Sequence, residues 1–389
     1  MSDADTGAAQ AHAAPANGGR GNGDGSAGRA VGFLSLLALG INGIVGVGIF
    51  FAPSEVASLA PGHEVVRPFG LPFTLPVAPS TAIFTLTALA MVPVAVALGR
   101  LGSRFDEDGG PVLYARAAFG EPAAYVVGWL AYVTSVFSCA AIHVGLVRAV
   151  TESLGYGGLW VQRIAGVALL LVLSAICAAG IRVSAGVWSG LAVLKVIPLI
   201  LLVGASLVLV APAVPTPPPG EPSWLRAALR VTFTYQGFEI IPVIAGQVRG
   251  HRRSIPVAVL GSLLCAALLY VGLQSACVRA VPDLAHAALP LAAAGEAFGG
   301  RGLAVLLGVG TSVSALGIAF GMVAMTPRFL SALARVSELG LGLADETPRG
   351  APLRALFVTI ILVAILVALG DLGELFTLSS IAVVSVIHI

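Results

Sequence analysis

The chain has 389 residues, of which 57% are hydrophobic and only 10% charged, with a formal net charge of +2. Soluble domains carry about 25% charged residues, so a soluble globular protein is excluded, and the net charge is too small to imply a nucleic-acid or acidic partner. A mean hydropathy of +0.97 points instead to an all-α protein crossing a membrane several times, with lipid as its surroundings.

Residues 1–30 are rich in Ala, Gly, Ser and Asn and read as a disordered tail. They are no signal peptide, since no apolar core precedes Val31. Apolar runs then predict helices over 31–60, 77–99, 123–147, 164–181, 185–210, 227–247, 256–278, 303–326, 353–370 and 372–389. With the N-terminus inside, thirteen arginines fall on the cytoplasmic side and seven on the other, which supports that orientation in a cell membrane. The last run stops at Ile389 without a polar tail, so the final helix reads as cut short.

The first helix carries Gly40, Gly43, Gly46 and Gly48 within GINGIVGVGIF, and the sixth carries Gly237 and Pro242 within TFTYQGFEIIP. Glycine frees the backbone and proline removes a donor, so both helices should be interrupted, near 44–48 and 234–238. In a membrane such breaks survive where they line a cavity or are buried in protein. Close packing of small residues is the plainer use of the same glycines. Position favours the cavity: helices 1 and 6 open two halves of five spans each, 31–210 and 227–389, joined by a Pro-rich extracellular connector at 211–226. An odd number of spans per half makes the repeats inverted, and matched breaks in two halves mark a transporter site.

One lysine stands among 20 arginines, and it lies inside an apolar run. Lys195 is about 15 Å deep at the helical rise per residue, near the bilayer midplane. Arginine cannot be deprotonated in a protein, whereas a buried lysine can. Glu239 is a second intramembrane charge, beside the sixth-helix break, where it ties that helix to its neighbours or relays a proton. The four cysteines and six histidines are dispersed, so no metal, cofactor or enzyme chemistry is expected.

Several segments together resemble one family. GIVGVGIF at 43–50, LKVIPL at 194–199, FTYQGFEIIPVIAGQVRGHRRSIP at 233–256 and SALGIAFGMVAMTPRFLSALAR at 314–335 are similar to the amino acid–polyamine–organocation permeases, the prokaryotic amino acid permeases in particular. The resemblance runs from about 31 to 389. It implies a LeuT-like fold of two inverted five-helix repeats. It also implies secondary active transport of an amino acid or related amine by alternating access, coupled to protons or run as exchange. This chain departs from the family at Gln247, where an acidic residue is usual, and in lacking helices 11 and 12.

A broken helix suits a free amino acid. Donors at Gly46, Val47 and Gly48 would take the carboxylate at a helix N-terminus, with Val45 beside them in the same site. Carbonyls at Ile44, Phe233, Thr234 and Gln236 would take the ammonium, next to Gly237. The resemblance implies that Phe233 closes over the substrate, while Tyr235 shares that work or faces the scaffold. It also implies that the Lys195 ammonium sits between helices 1 and 8, bonded near Asn42 or Val45 and to the hydroxyls of Thr311 and Ser314. Two other readings stay open: a sensor that binds an amino acid without carrying it, and an inactive, truncated permease.

Overall fold

The computed structural model describes residues 31–62, 77–156, 158–209, 222–337, 341–370 and Leu375. The tail 1–30, most of the connector and, apart from Leu375, the helix expected over 372–389 lie outside the described residues. The rest is nearly all helix: α1 Phe33–Ile44, α2 Gly48–Leu59, α3 Pro79–Gly102, α4 Pro111–Phe119, α5 Glu121–Ser153, α6 Leu159–Ala178, α7 Ile181–Val208, α8 Trp224–Tyr235, α9 His251–Ala280, α10 Pro290–Ser337 and α11 Leu353–Leu369. A 3₁₀ helix, Phe238–Gln247, follows α8, and a short one, Leu284–His286, follows α9.

Among the described residues six helices (α3, α5, α6, α7, α9 and α10) are long and apolar enough to span a membrane. The pair α1 and α2, bent by 43°, makes a seventh. Ten spans were expected. The shortfall has local causes: α11 is a shorter apolar helix, and α8 carries Arg226 and Arg230 before it gives way to 3₁₀ structure. Short α4 was not foreseen; it opens on Pro111 at N1 and stops at Gly120, whose φ of +88° ends the helix. The eighth expected helix is longer than predicted. It runs within α10 to Ser337, beyond a kink at Gly300 with φ +67°.

Both interruptions have visible backbone causes. At the first, Val45 takes φ −73° and ψ +77°, the geometry of an inverse γ-turn, and Gly46 N–H donates to the Ile44 carbonyl at 2.7 Å. At the second, the break is narrower than expected. Thr234 and Tyr235 are still helical, and the chain turns at Gln236 and Gly237, the latter with φ +125° and ψ −20°. Beyond it Pro242 has no N–H to give, and Ile244 leaves helical geometry. Ten residues is long for a 3₁₀ helix, whose hydrogen bonds are poorer than those of an α-helix.

The four pieces pair head to tail. Beside α1 lies the long 3₁₀ helix, joined to it by a parallel bridge of Val31 with Val248. Val31 N–H donates to the Gln247 carbonyl and Arg249 N–H to the Val31 carbonyl, both at 3.0 Å. At the other end α2 packs on α8, through Ser223 N–H to the Leu59 carbonyl at 2.8 Å and an exposed Arg230–Glu55 ion pair at 3.3 Å. Where the breaks meet, Gly43 and Gly237 touch backbone to backbone. A Cβ on Gly237 would fall within 2.6 Å of the Ile44 nitrogen, and one on Gly43 within 2.6 Å of the Gly237 carbonyl oxygen.

Gly237→Ala should therefore destabilise the protein by roughly 2–5 kcal/mol, adding backbone strain to overpacking. Gly190→Ala, in α7 with nothing within 4 Å of the new methyl group, is the control and should be neutral or slightly stabilising. Melting of the two purified variants in detergent checks the contrast.

Candidate functional site

The end of α1 points into the protein interior, where its last carbonyls lack helical partners and carry the negative end of the helix dipole. Side chains from three other helices meet them. Lys195 Nζ, on α7 and fully buried, donates to the Asn42 carbonyl at 2.8 Å. Tyr270 Oη, on α9, donates to the Ile44 carbonyl at 2.8 Å. Ser314 Oγ, on α10, donates to the Val45 carbonyl at 3.1 Å. The Asn42 amide crosses to the Gly317 carbonyl of α10 at 2.9 Å, and its Oδ1 is buried without a partner among the described residues.

Lys195 thus reaches α1, at Asn42. The hydroxyls expected beside it do other work. Thr311 Oγ1 turns back to the Leu307 carbonyl of its own helix at 3.3 Å, the usual habit of a membrane threonine. Ser314 spends its proton on Val45 instead of meeting the lysine. The carbonyl of Ile44, expected to receive a substrate ammonium, already accepts from Tyr270 and from Gly46 N–H, so both its lone pairs are taken.

The same γ-turn moves the free donors one step along the chain. Gly46 has used its N–H, while those of Val47, Gly48 and Ile49 have no partner among the described residues. They open α2 at its positive end, the place where a helix binds an anion. Gly48 is exposed, and a Cβ there would meet only Thr234, at 4.0 Å. Room for a carboxylate therefore lies at Gly48, against the end of α8. On the flank, the Ile318 side chain closes on Gly46.

The second break contributes less than expected. Tyr235 is buried and donates to the Phe84 carbonyl at 3.2 Å, within a cluster of Phe84, Tyr235 and Tyr270, so it faces the scaffold. Thr234 Oγ1 bonds back to Arg230 of its own helix at 3.1 Å. The Phe233 carbonyl accepts from Gln236 N–H at 3.3 Å, and the Phe233 ring is 69% exposed, leaving it free to swing. Among the described residues Glu239 makes no hydrogen bond to another helix. Its Oε2 accepts from Gly237 N–H at 2.7 Å and steadies the turn. Both Glu239 and Gln236 are exposed at the surface of the described residues.

A polar cluster escaped the sequence reading. At the end where α1 begins, buried Asp108, in the loop between α3 and α4, pairs with buried Arg328 of α10. Its Oδ1 accepts from Gly246 N–H at 2.9 Å, and Arg335 donates to its carbonyl at 2.9 Å. Glu346 stands 3.6 Å from Arg335 and accepts from the Gln247 amide at 2.8 Å. Burial pushes the Asp108 carboxyl above the ordinary carboxylate range, against the pull of Arg328 and, with Glu346 adding to the rise, of Arg335. Of these, Gln247 stood out in the sequence as a departure from the family, and Arg328 lies in the segment 314–335 that carries the resemblance. Asp108 is one of three acids in FDEDGG, and nothing in that run distinguishes it from Asp106 or Glu107.

Comparison with known proteins follows the same lines. The profile of a family described as amino acid permease matches residues 31–389. An uncharacterized transporter of Mycobacterium tuberculosis is 29% identical over 370 residues, covering 91% of this chain and 77% of the relative. A branched-chain amino acid permease of Lactococcus lactis is 27% identical over 361 residues, covering 85% of this chain and 73% of the relative. The chloroplastic cationic amino acid transporter 9 of Arabidopsis thaliana is 28% identical over 305 residues, 72% of this chain and 51% of that protein.

Tyr270→Phe isolates one tie on the α1 terminus. Loss of the hydroxyl should lower stability by about 1 kcal/mol, the net worth of one hydrogen bond. Thermal melting against the parent, with Tyr125→Phe as an exposed control, checks it.

Proposed function

Because the chain belongs to the amino acid permease family of the amino acid–polyamine–organocation superfamily, we propose that it is a secondary active transporter of an amino acid or related amine, working by alternating access. The observation that carries this reading is the interrupted first helix. Three free N–H groups open α2 beside an exposed glycine, and the facing end of α1 is held by Lys195, Tyr270 and Ser314. The carboxylate of the substrate binds the N–H groups of Val47, Gly48 and Ile49. Its ammonium turns to the break in helix 6, where the carbonyls of Thr234 and Tyr235 accept nothing among the described residues. Phe233 covers the substrate from the side of α8.

The head-to-tail pairing of α1 with the 3₁₀ helix and of α2 with α8 supports two inverted repeats of the LeuT-like kind. Their bounds are 31–210 and 227–389. The arginine distribution supports an N-terminus in the cytoplasm. Lys195 couples transport to protons: charged, it holds the α1 terminus at Asn42; neutral, it loosens that grip and lets α1 move. Asn42, Ser314 and Gly317 carry the effect to α10, and Glu239 governs the neighbouring turn. Thr311, turned to its own helix, stands aside.

Counterflow of labelled amino acids in proteoliposomes is the test, beginning with the branched-chain and cationic ones that the relatives' names suggest. Exchange supports a transporter; saturable binding without exchange makes the protein a sensor. Gly48→Leu fills the space before the free donors and should weaken substrate binding by about tenfold or more, the loss of a charge-assisted hydrogen bond. Parental affinity in that variant would put the substrate elsewhere.

Lys195→Arg keeps a cation but cannot release a proton. Uptake by it should lose the dependence on a pH gradient that the parent has. A variant as pH-dependent as the parent, or a parent that demands sodium, removes lysine deprotonation from the mechanism.

A further inference from the structure

The end of α3 and the start of α9 pack almost backbone to backbone. A Cβ on Gly99 would lie 2.9 Å from the Pro256 Cα, and one on Gly102 would lie 3.0 Å from the Ile255 side chain. Each helix brings two arginines to this junction: Arg100 and Arg104 from the end of α3 and the turn after it, Arg252 and Arg253 from the first turn of α9. All four are exposed, and none of their guanidinium groups has a hydrogen-bond or ion-pair partner among the described residues. The exposed acids of the following loop, Asp106 and Glu107, form no ion pair with them there.

Helix stability does not explain this grouping. Arg100 suits the negative end of α3, but Arg252 and Arg253 stand at the positive end of α9, where the dipole opposes them, and Gly250 supplies no side-chain cap. Unpaired like charges also repel one another. A negative group between the two helices would remove both costs. The neighbouring residues say where such a group comes from. Arg253 is followed at helical spacing by exposed Val257, Leu260 and Leu264, and Arg100 is preceded by exposed Val94 and Ala97. The arginines therefore stand where two apolar faces turned to lipid run out, at the height of the headgroups.

We propose that the junction of α3 and α9 is a binding site for an anionic phospholipid, whose headgroup phosphate is held by Arg100, Arg104, Arg252 and Arg253. Arginine suits the task, since its planar fork takes phosphate oxygens in pairs. The apolar faces commit the ligand to a lipid and not to a free phosphate, because acyl chains lie along the same faces whose ends carry the arginines. The inference rests on the chain's crossing a membrane and not on what it carries.

Native mass spectrometry tests it. The full chain is purified in detergent micelles, phosphatidylglycerol is added in steps, and the affinity for the first bound lipid is read, with phosphatidylcholine as the neutral comparison. The parent should prefer phosphatidylglycerol. Each arginine lost near a charged headgroup should weaken binding about fivefold. Arg252→Gln with Arg253→Gln should therefore cost about 25-fold, and so should Arg100→Gln with Arg104→Gln. Arg226→Gln with Arg301→Gln removes the same charge from exposed positions at the other end of the bundle and should leave the first affinity unchanged. If one pair of variants does not fold, the other decides alone. Parental affinity in a folded pair overturns the site. An equal loss in the control overturns it too, since net charge and not place would then govern binding. Phosphatidylcholine bound as tightly as phosphatidylglycerol does the same, and displacement of the lipid by inorganic phosphate overturns the lipid as occupant. A parent that binds phosphatidylglycerol as expected yet exchanges no amino acid refutes the transporter reading and leaves the lipid site standing.

Discussion

The contact of Gly43 with Gly237 sets the geometry of everything around it. Two interrupted helices can share a midpoint only if their backbones come within a distance that no side chain permits. Here the Gly237 carbonyl lies where a Cβ of Gly43 would be, and Gly237 adopts a φ of +125° that L side chains rarely take. The closeness brings the start of α2, at Gly48, beside the end of α8, at Thr234. It also puts the two helix ends, with their opposite partial charges, side by side. An amino acid carries both charges on one carbon and fits that pairing.

Around this midpoint the chain treats its loose backbone groups unequally. The carbonyls at the end of α1 are nearly all answered from within, by Lys195, Tyr270, Ser314 and the γ-turn at Val45. The donors at the start of α2 are left open. Unmet N–H groups are costly inside a membrane protein unless a ligand or water answers them. The asymmetry is plain in the hydrogen bonds: the α1 end is held by the protein, and the N–H groups that open α2 have no partner among the described residues.

The two ends of the bundle are closed by different means. Where α2 meets α8, an exposed ion pair of Arg230 with Glu55 joins them, and exposed pairs contribute little. Where α1 meets the 3₁₀ helix, charges are buried among four segments and depend on one another.

How much of this was legible in the sequence depended on whether the signal was local. Apolar run length announced a membrane protein, because a helix must satisfy its own backbone in lipid. A glycine cluster announced the first break, and Gly237 with Pro242 the second, since conformational freedom belongs to the residue itself. The lone lysine announced a buried charge, and its bond to Asn42 lies on the helix the resemblance implied. What tertiary structure alone decided were the partners. Tyr270, Gly317 and Asp108 look ordinary in the chain and act only because other helices bring Ile44, Asn42 and Arg328 to them. Thr311 looked suited to meet Lys195 and instead satisfies its own helix, because a hydroxyl's partner is set by what lies within 3 Å or so of it and not by spacing along the chain.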